Sequence, residues 1–99
     1  MVTRAELVDA VFSSDAIDRT VVEVEPKLYN REYQCAFMLF DDNEDLETMA
    51  VFDQNNQEFE RYDSNNYLVA CREVSSIEEA VELLAQFQKD GEFPDEEVC

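Results

Sequence analysis

From Cys35 to Phe40 every residue is apolar. Side chains of a strand alternate between two faces, so such a run has no wet side. It predicts a strand covered on both faces or placed in the middle of a sheet. We read residues 32–40 as the central strand of the fold.

The remaining elements arrange themselves around that run. Thr3 followed three residues later by Glu6 is a capping-box signature. Leu7, Val8, Val11 and Phe12 then share one helical face, which predicts a helix over about residues 4–12. Ser13-Ser14-Asp15 closes it. From Thr20 the period drops to two, with Val22 and Val24 on one side and Glu23 and Glu25 on the other, an outer or half-exposed strand that Pro26 stops. Beyond the acidic turn Asp41–Asp45, strand character resumes from Leu46 to Phe52, from Glu58 to Tyr62 and from Tyr67 to Arg72. The separators Gln54–Gln57 and Ser64–Asn66 are rich in Asn, which tolerates the left-handed backbone of tight hairpins. Asn fills that role because Gly91 is the only glycine of the chain.

Ser75 or Ser76, each with a Glu three residues on, caps a last helix whose apolar stripe is Ile77, Ala80, Val81, Leu84 and Phe87. Gly91 ends it. The order helix, about five strands, helix, with short connections, predicts an α+β domain over residues 1–91. An antiparallel sheet of about five strands would carry both helices. Residues 92–99 have no periodicity and four acids, and are expected to form a flexible acidic tail.

Charge is what sets this chain apart. Its 25 Asp and Glu face 7 Lys and Arg, a formal charge of −18 on 99 residues. An apolar content of 45% separates it from acidic disordered segments, and the length suits one domain burying roughly 60–70% of its unfolded surface. No apolar run approaches the roughly 18 residues needed to span a bilayer, and Met1–Glu6 leads into a charged amphipathic pattern. A cytoplasmic protein is expected. Cys35, Cys71 and Cys99 lack metal-ligand spacing and there is no His, so they read as reduced structural thiols.

Candidate chemistry is sparse. Without His and with one Gly, the chain offers no acid/base or nucleophilic constellation, and we expect no enzyme, no catalytic residue, no cofactor and no metal. Asp41-x-Asn43-x-Asp45 and Asp53-x-Asn55-x-Gln57 imitate the start of a calcium loop. Both fail at the glycine position, filled by Leu46 or Glu58, and at the closing glutamate, filled by Phe52 or Ser64. Direct nucleic-acid binding is excluded because it requires Lys and Arg against phosphate.

The inverse reading is the informative one. Solubility needs a net charge of only about 2–8 in a small domain, and further like charge repels itself unless a partner uses it. Carboxylates on alternate strand positions, such as Glu23 and Glu25 or Glu58 and Glu60, stand about 6.6–6.8 Å apart. Glu78 and Glu82, one helical turn apart, lie at roughly 6 Å. These are phosphate-like intervals, suited to the basic groove of a nucleic-acid-binding protein or ribonucleoprotein. In size, acidity and lack of catalytic motif the chain resembles small phage inhibitors of host defence, anti-CRISPR and anti-restriction proteins, some of which are DNA mimics. It also resembles bacterial immunity proteins that neutralise basic nuclease toxins; a generic halophilic acidic domain is the remaining alternative.

From Asp41 to Asp63, nine acids accompany one base, Arg61. We therefore expect the partner-binding surface to consist of Asp41, Asp42, Glu44, Asp45, Glu47, Asp53, Glu58, Glu60 and Asp63 on two consecutive hairpins. The stretch from Glu73 to Cys99 is equally acidic, but a loose tail would lose conformational entropy on docking.

Overall fold

The computed structural model describes residues 1–25 and 34–98. Helix α1 (Arg4–Ser13) precedes strands β1 (Val22–Glu25), β2 (Gln34–Phe40), β3 (Leu46–Asp53), β4 (Glu58–Asp63) and β5 (Leu68–Glu73), and helix α2 (Ile77–Asp90) follows. The strands form one antiparallel sheet in the order β1-β2-β3-β4-β5, a meander in which every strand pairs with its neighbour in sequence. The fold is α+β. Pro26, residues 32 and 33, and Cys99, which entered the sequence reading, lie outside the described residues.

Local chemistry explains the elements. Thr3 caps α1: its hydroxyl accepts from the Glu6 amide at 3.2 Å and donates to Glu6 Oε1 at 2.9 Å. Ser76 caps α2 by accepting from the Glu79 amide, while Glu79 reaches back to the Ser75 amide. Gly91 closes α2 at φ 73°, with its amide on the Phe87 carbonyl. A side chain there would be strained in the left-handed region.

Both helices cover one face of the sheet. Leu7, Val11, Ala80, Leu83, Leu84 and Phe87 pack with Val22, Phe37, Leu39, Ala50, Phe52 and Phe59 in the main core. Phe12, assigned by periodicity to the buried side of α1, is instead exposed and lies under the Arg19 guanidinium, 4.8 Å from the ring centre. On the opposite, outer face Ala36, Met49 and Val51 form a small second cluster, with Met38 and Tyr62 packed against it.

Two further expectations are corrected. The centre of the sheet is β3, whose last six residues are all buried, and not β2, which lies between β1 and β3. The run 35–40 is apolar on both faces because it feeds both clusters at once. The thiols are not all reduced: Cys35 is free and buried, its pKa pushed up to about 12 by burial despite nearby Arg4, but Cys71 is disulfide-bonded.

The stretch expected to be a flexible tail is docked through Phe93, Glu96 and Glu97, and Val98 beyond them is exposed. Phe93 is buried between Phe59 and Phe87, its ring stacked 4.9 Å and 5.2 Å from theirs. Glu96 pairs with Arg61, and Glu97 exchanges backbone hydrogen bonds with Cys71 on β5 at 2.7 and 2.8 Å. Burying one phenylalanine against two others contributes on the order of 2–3 kcal/mol, which offsets the ordering of a short segment.

Candidate acidic interface

The three hairpin turns among the described residues share one construction. Asp41, Asp53 and Asp63 each begin a turn with the pattern Asp-x-Asn, and Oδ1 of each accepts two backbone amides downstream. Asp41 takes those of Asn43 and Asp45 at 2.9 and 3.0 Å, and Asp63 those of Asn65 and Tyr67 at the same distances. Asp53 takes those of Asn55 and Asn56 at 3.0 and 3.2 Å. Glu44, Asn66 and Gln57 supply the positive φ each turn needs. The Asp-x-Asn pattern that imitated a calcium loop is thus a turn device. Three of the nine expected contact acids hold backbone amides.

Successive turns of a meander point to opposite ends of the sheet. Asp41, Asp42, Glu44, Asp45 and Asp63 therefore lie at one end, and Asp53 and Glu58 at the other. Eight residues of β3 separate the two, roughly 25 Å at strand rise. Glu47 sits at the bulge between the Leu39–Thr48 and Phe40–Leu46 pairs, and its carboxylate lies beside Gly91. The sheet brings Asp53, Glu58 and Glu60 together and keeps them apart from the first group.

That trio is the most crowded acidic site among the described residues. Each offers a carboxylate oxygen within 4.8 Å of the others. Asp53, only 8% exposed, also accepts from Asn56 Nδ2 at 2.8 Å, and Glu60 accepts from the Tyr62 hydroxyl at 2.9 Å. Burial first, then the charges of Glu60, Asp53 and Glu73, raise the Glu58 carboxyl above its usual range. Such a group can face a guanidinium, an ammonium or a divalent cation.

Strand register extends the patch to residues that sequence spacing does not reveal. Glu73 stands opposite Glu58, and Cys71 opposite Glu60 with Glu97 bridged beyond it. Glu58, Glu73, Asp95 and Glu97, with Cys71 and Arg72, line a cavity of about 190 Å³ at this corner. No local signal marks Glu73 or Glu97 as neighbours of Glu58; only the pairing of β4 with β5 does.

Alternation also sorts charge by face. Glu23 and Glu25 align with Met38 and Ala36, and Glu58, Glu60 and Glu73 align with Asp53, Val51 and Glu58, all on the outer face. Arg61 and Arg72 point the other way, in register with Ala50 and Phe59 of the helix side. Arg61 is held by Glu96, and Arg72 by the carbonyls of Pro94 and Glu73 and by Glu79 at 4.0 Å. Among the described strand residues, the outer face carries acids and no base.

No helix among the described residues is long and apolar enough to cross a membrane. Compared with protein-family models, characterised proteins and solved structures, the chain matches none.

Proposed function

We propose that this protein is a non-enzymatic cytoplasmic inhibitor that binds a basic nucleic-acid-binding protein or ribonucleoprotein, its carboxylates taking the place of a phosphate backbone. A phage anti-CRISPR or anti-restriction role is the setting that suits it. The observation supporting this reading is the segregation of charge: Glu23, Glu25, Asp53, Glu58, Glu60 and Glu73 share one sheet face, while Arg61 and Arg72 are turned to the other and engaged there. Acids crowded in this way repel one another, and a basic partner relieves that repulsion.

The test is competition. Immobilised protein should retain basic nucleic-acid-binding proteins from a bacterial lysate and release them to duplex DNA or RNA. Association with a purified target should slow steeply as salt rises, because steering is screened over about 8 Å at physiological ionic strength. Retention that nucleic acid cannot displace, with an association rate flat in salt, overturns the proposal. Capture of a single toxin nuclease would assign the immunity role instead.

A further inference from the structure

Opposite the crowded corner, the other end of the sheet combines two features that interfaces use together. Tyr67 is 69% exposed and Leu68 44% exposed, consecutive in sequence where the β4–β5 turn enters β5. The β2–β3 turn lies at the same end, so Asp41, Asp42, Glu44, Asp45 and Asp63 share this end of the sheet with Tyr67 and Leu68, and neither turn contains a Lys or Arg. Phe12, another exposed aromatic, is covered by Arg19; Tyr67 lies in a turn that contains no cation.

Resting on the reading above, we propose that this end anchors the target. Tyr67 and Leu68 enter an apolar pocket of the basic partner, and the turn carboxylates meet the Lys and Arg residues bordering it. Binding energy concentrates in a few central apolar and aromatic anchors, with charged surroundings that orient the approach. The anchor is preorganised. Asp63 Oδ1 holds the Asn65 and Tyr67 amides, the Asp63 and Tyr67 backbones bond at 3.0 Å, and the Asp41–Asp45 turn repeats this arrangement at 2.9 Å. Little conformational entropy remains to be lost on docking. A second copy of this chain is not the occupant, since it would bring the same carboxylates against these.

The experiment uses the full-length protein and two synthetic dodecapeptides of equal charge, one alternating Arg with Leu and one alternating Arg with Ser. Amide shifts and affinity are measured at low salt. The Arg/Leu peptide should bind at least about tenfold more tightly, with its largest shifts in Asp41–Asp45 and Asp63–Leu68. The double variant Tyr67→Ser, Leu68→Ser, exposed at both positions, should lose that advantage and still bind the Arg/Ser peptide. Equal affinities with shifts centred on Glu58, Glu60 and Glu73 overturn the anchor and leave electrostatic recognition standing. Failure of both peptides to bind overturns electrostatic recognition and the anchor with it.

Discussion

Arg61 donates to both oxygens of Glu96, from Nη2 to Oε1 at 2.7 Å and from Nε to Oε2 at 3.0 Å. The pair joins the middle of β4 to the C-terminal segment and removes the one base of the Asp41–Asp63 stretch from the outer face. Burial alone would raise the Glu96 carboxyl. Hydrogen bonds from Arg61 and the Phe93 amide, with the Arg61 charge, outweigh it and hold the carboxyl below its usual range.

A carboxyl depressed in the folded state contributes stability that is present above its unfolded pKa and is lost as pH falls through the folded one. Glu96→Gln should therefore lower the melting temperature at neutral pH, with the difference from wild type shrinking as acid protonates Glu96. A difference that persists unchanged in strong acid would mean that packing and not the ion pair is what the variant loses.

Glu58 behaves in the opposite sense. Its carboxyl is raised by burial and by Glu60, Asp53 and Glu73, so its ionisation opposes folding. That cost is absent below the ordinary carboxylate range and grows as pH rises through the folded pKa. Glu58→Gln should raise the melting temperature at neutral pH and leave it unchanged in strong acid. Destabilisation at neutral pH would show that Glu58 has a favourable partner instead.

Phe93 fills the space between Phe59 and Phe87. Phe93→Ala should cost about 3 kcal/mol, toward the lower end for a buried aromatic, because the segment can collapse into part of the vacated space. Truncation after Gly91 removes Glu96 as well and should cost more, where a loose tail would have made it neutral. Denaturant midpoints of the two variants measure this, and wild-type midpoints would show that the segment does not dock.

Charge reversals at the two ends of the sheet should separate. Asp42→Lys with Asp45→Lys alters the end bearing Tyr67, and Glu58→Lys with Glu60→Lys alters the crowded corner roughly 25 Å away. Against an identified target, loss of several kcal/mol from the first pair and a smaller loss from the second is expected, since like charge against a basic surface is costly mainly near the anchor. Binding isotherms at one salt concentration decide the order.

Much of this architecture was legible. Thr3, Ser76 and Gly91 mark helix ends through chemistry that operates within four residues, and the alternation of Val22 to Glu25 needs no more than neighbours. What escaped depends on pairs distant in sequence. Apolarity on two faces cannot tell the second strand from the third, because both feed the same two clusters. A single Phe93 among acids carries no period, and its partners Phe59 and Phe87 come from a strand and a helix. The site was legible as a density of acids and not as a place: adjacency in sequence put Asp42 beside Glu58, whereas the meander puts them at opposite ends.

Because each strand pairs with the one before it, the sheet closes only short loops, and short loops close quickly. The contacts that tie the chain ends to the sheet and to each other include the Gln57 side chain holding the Val2 backbone at both ends, Gln54 on the Arg4 amide, Gln88 on Ala16 and Asp18, α1 against α2, and Phe93 against Phe59. The hairpins can therefore order first and the two chain ends be captured afterwards. Phe93→Ala should then leave the refolding rate nearly unchanged and speed unfolding, placing the C-terminal segment on the native side of the folding barrier.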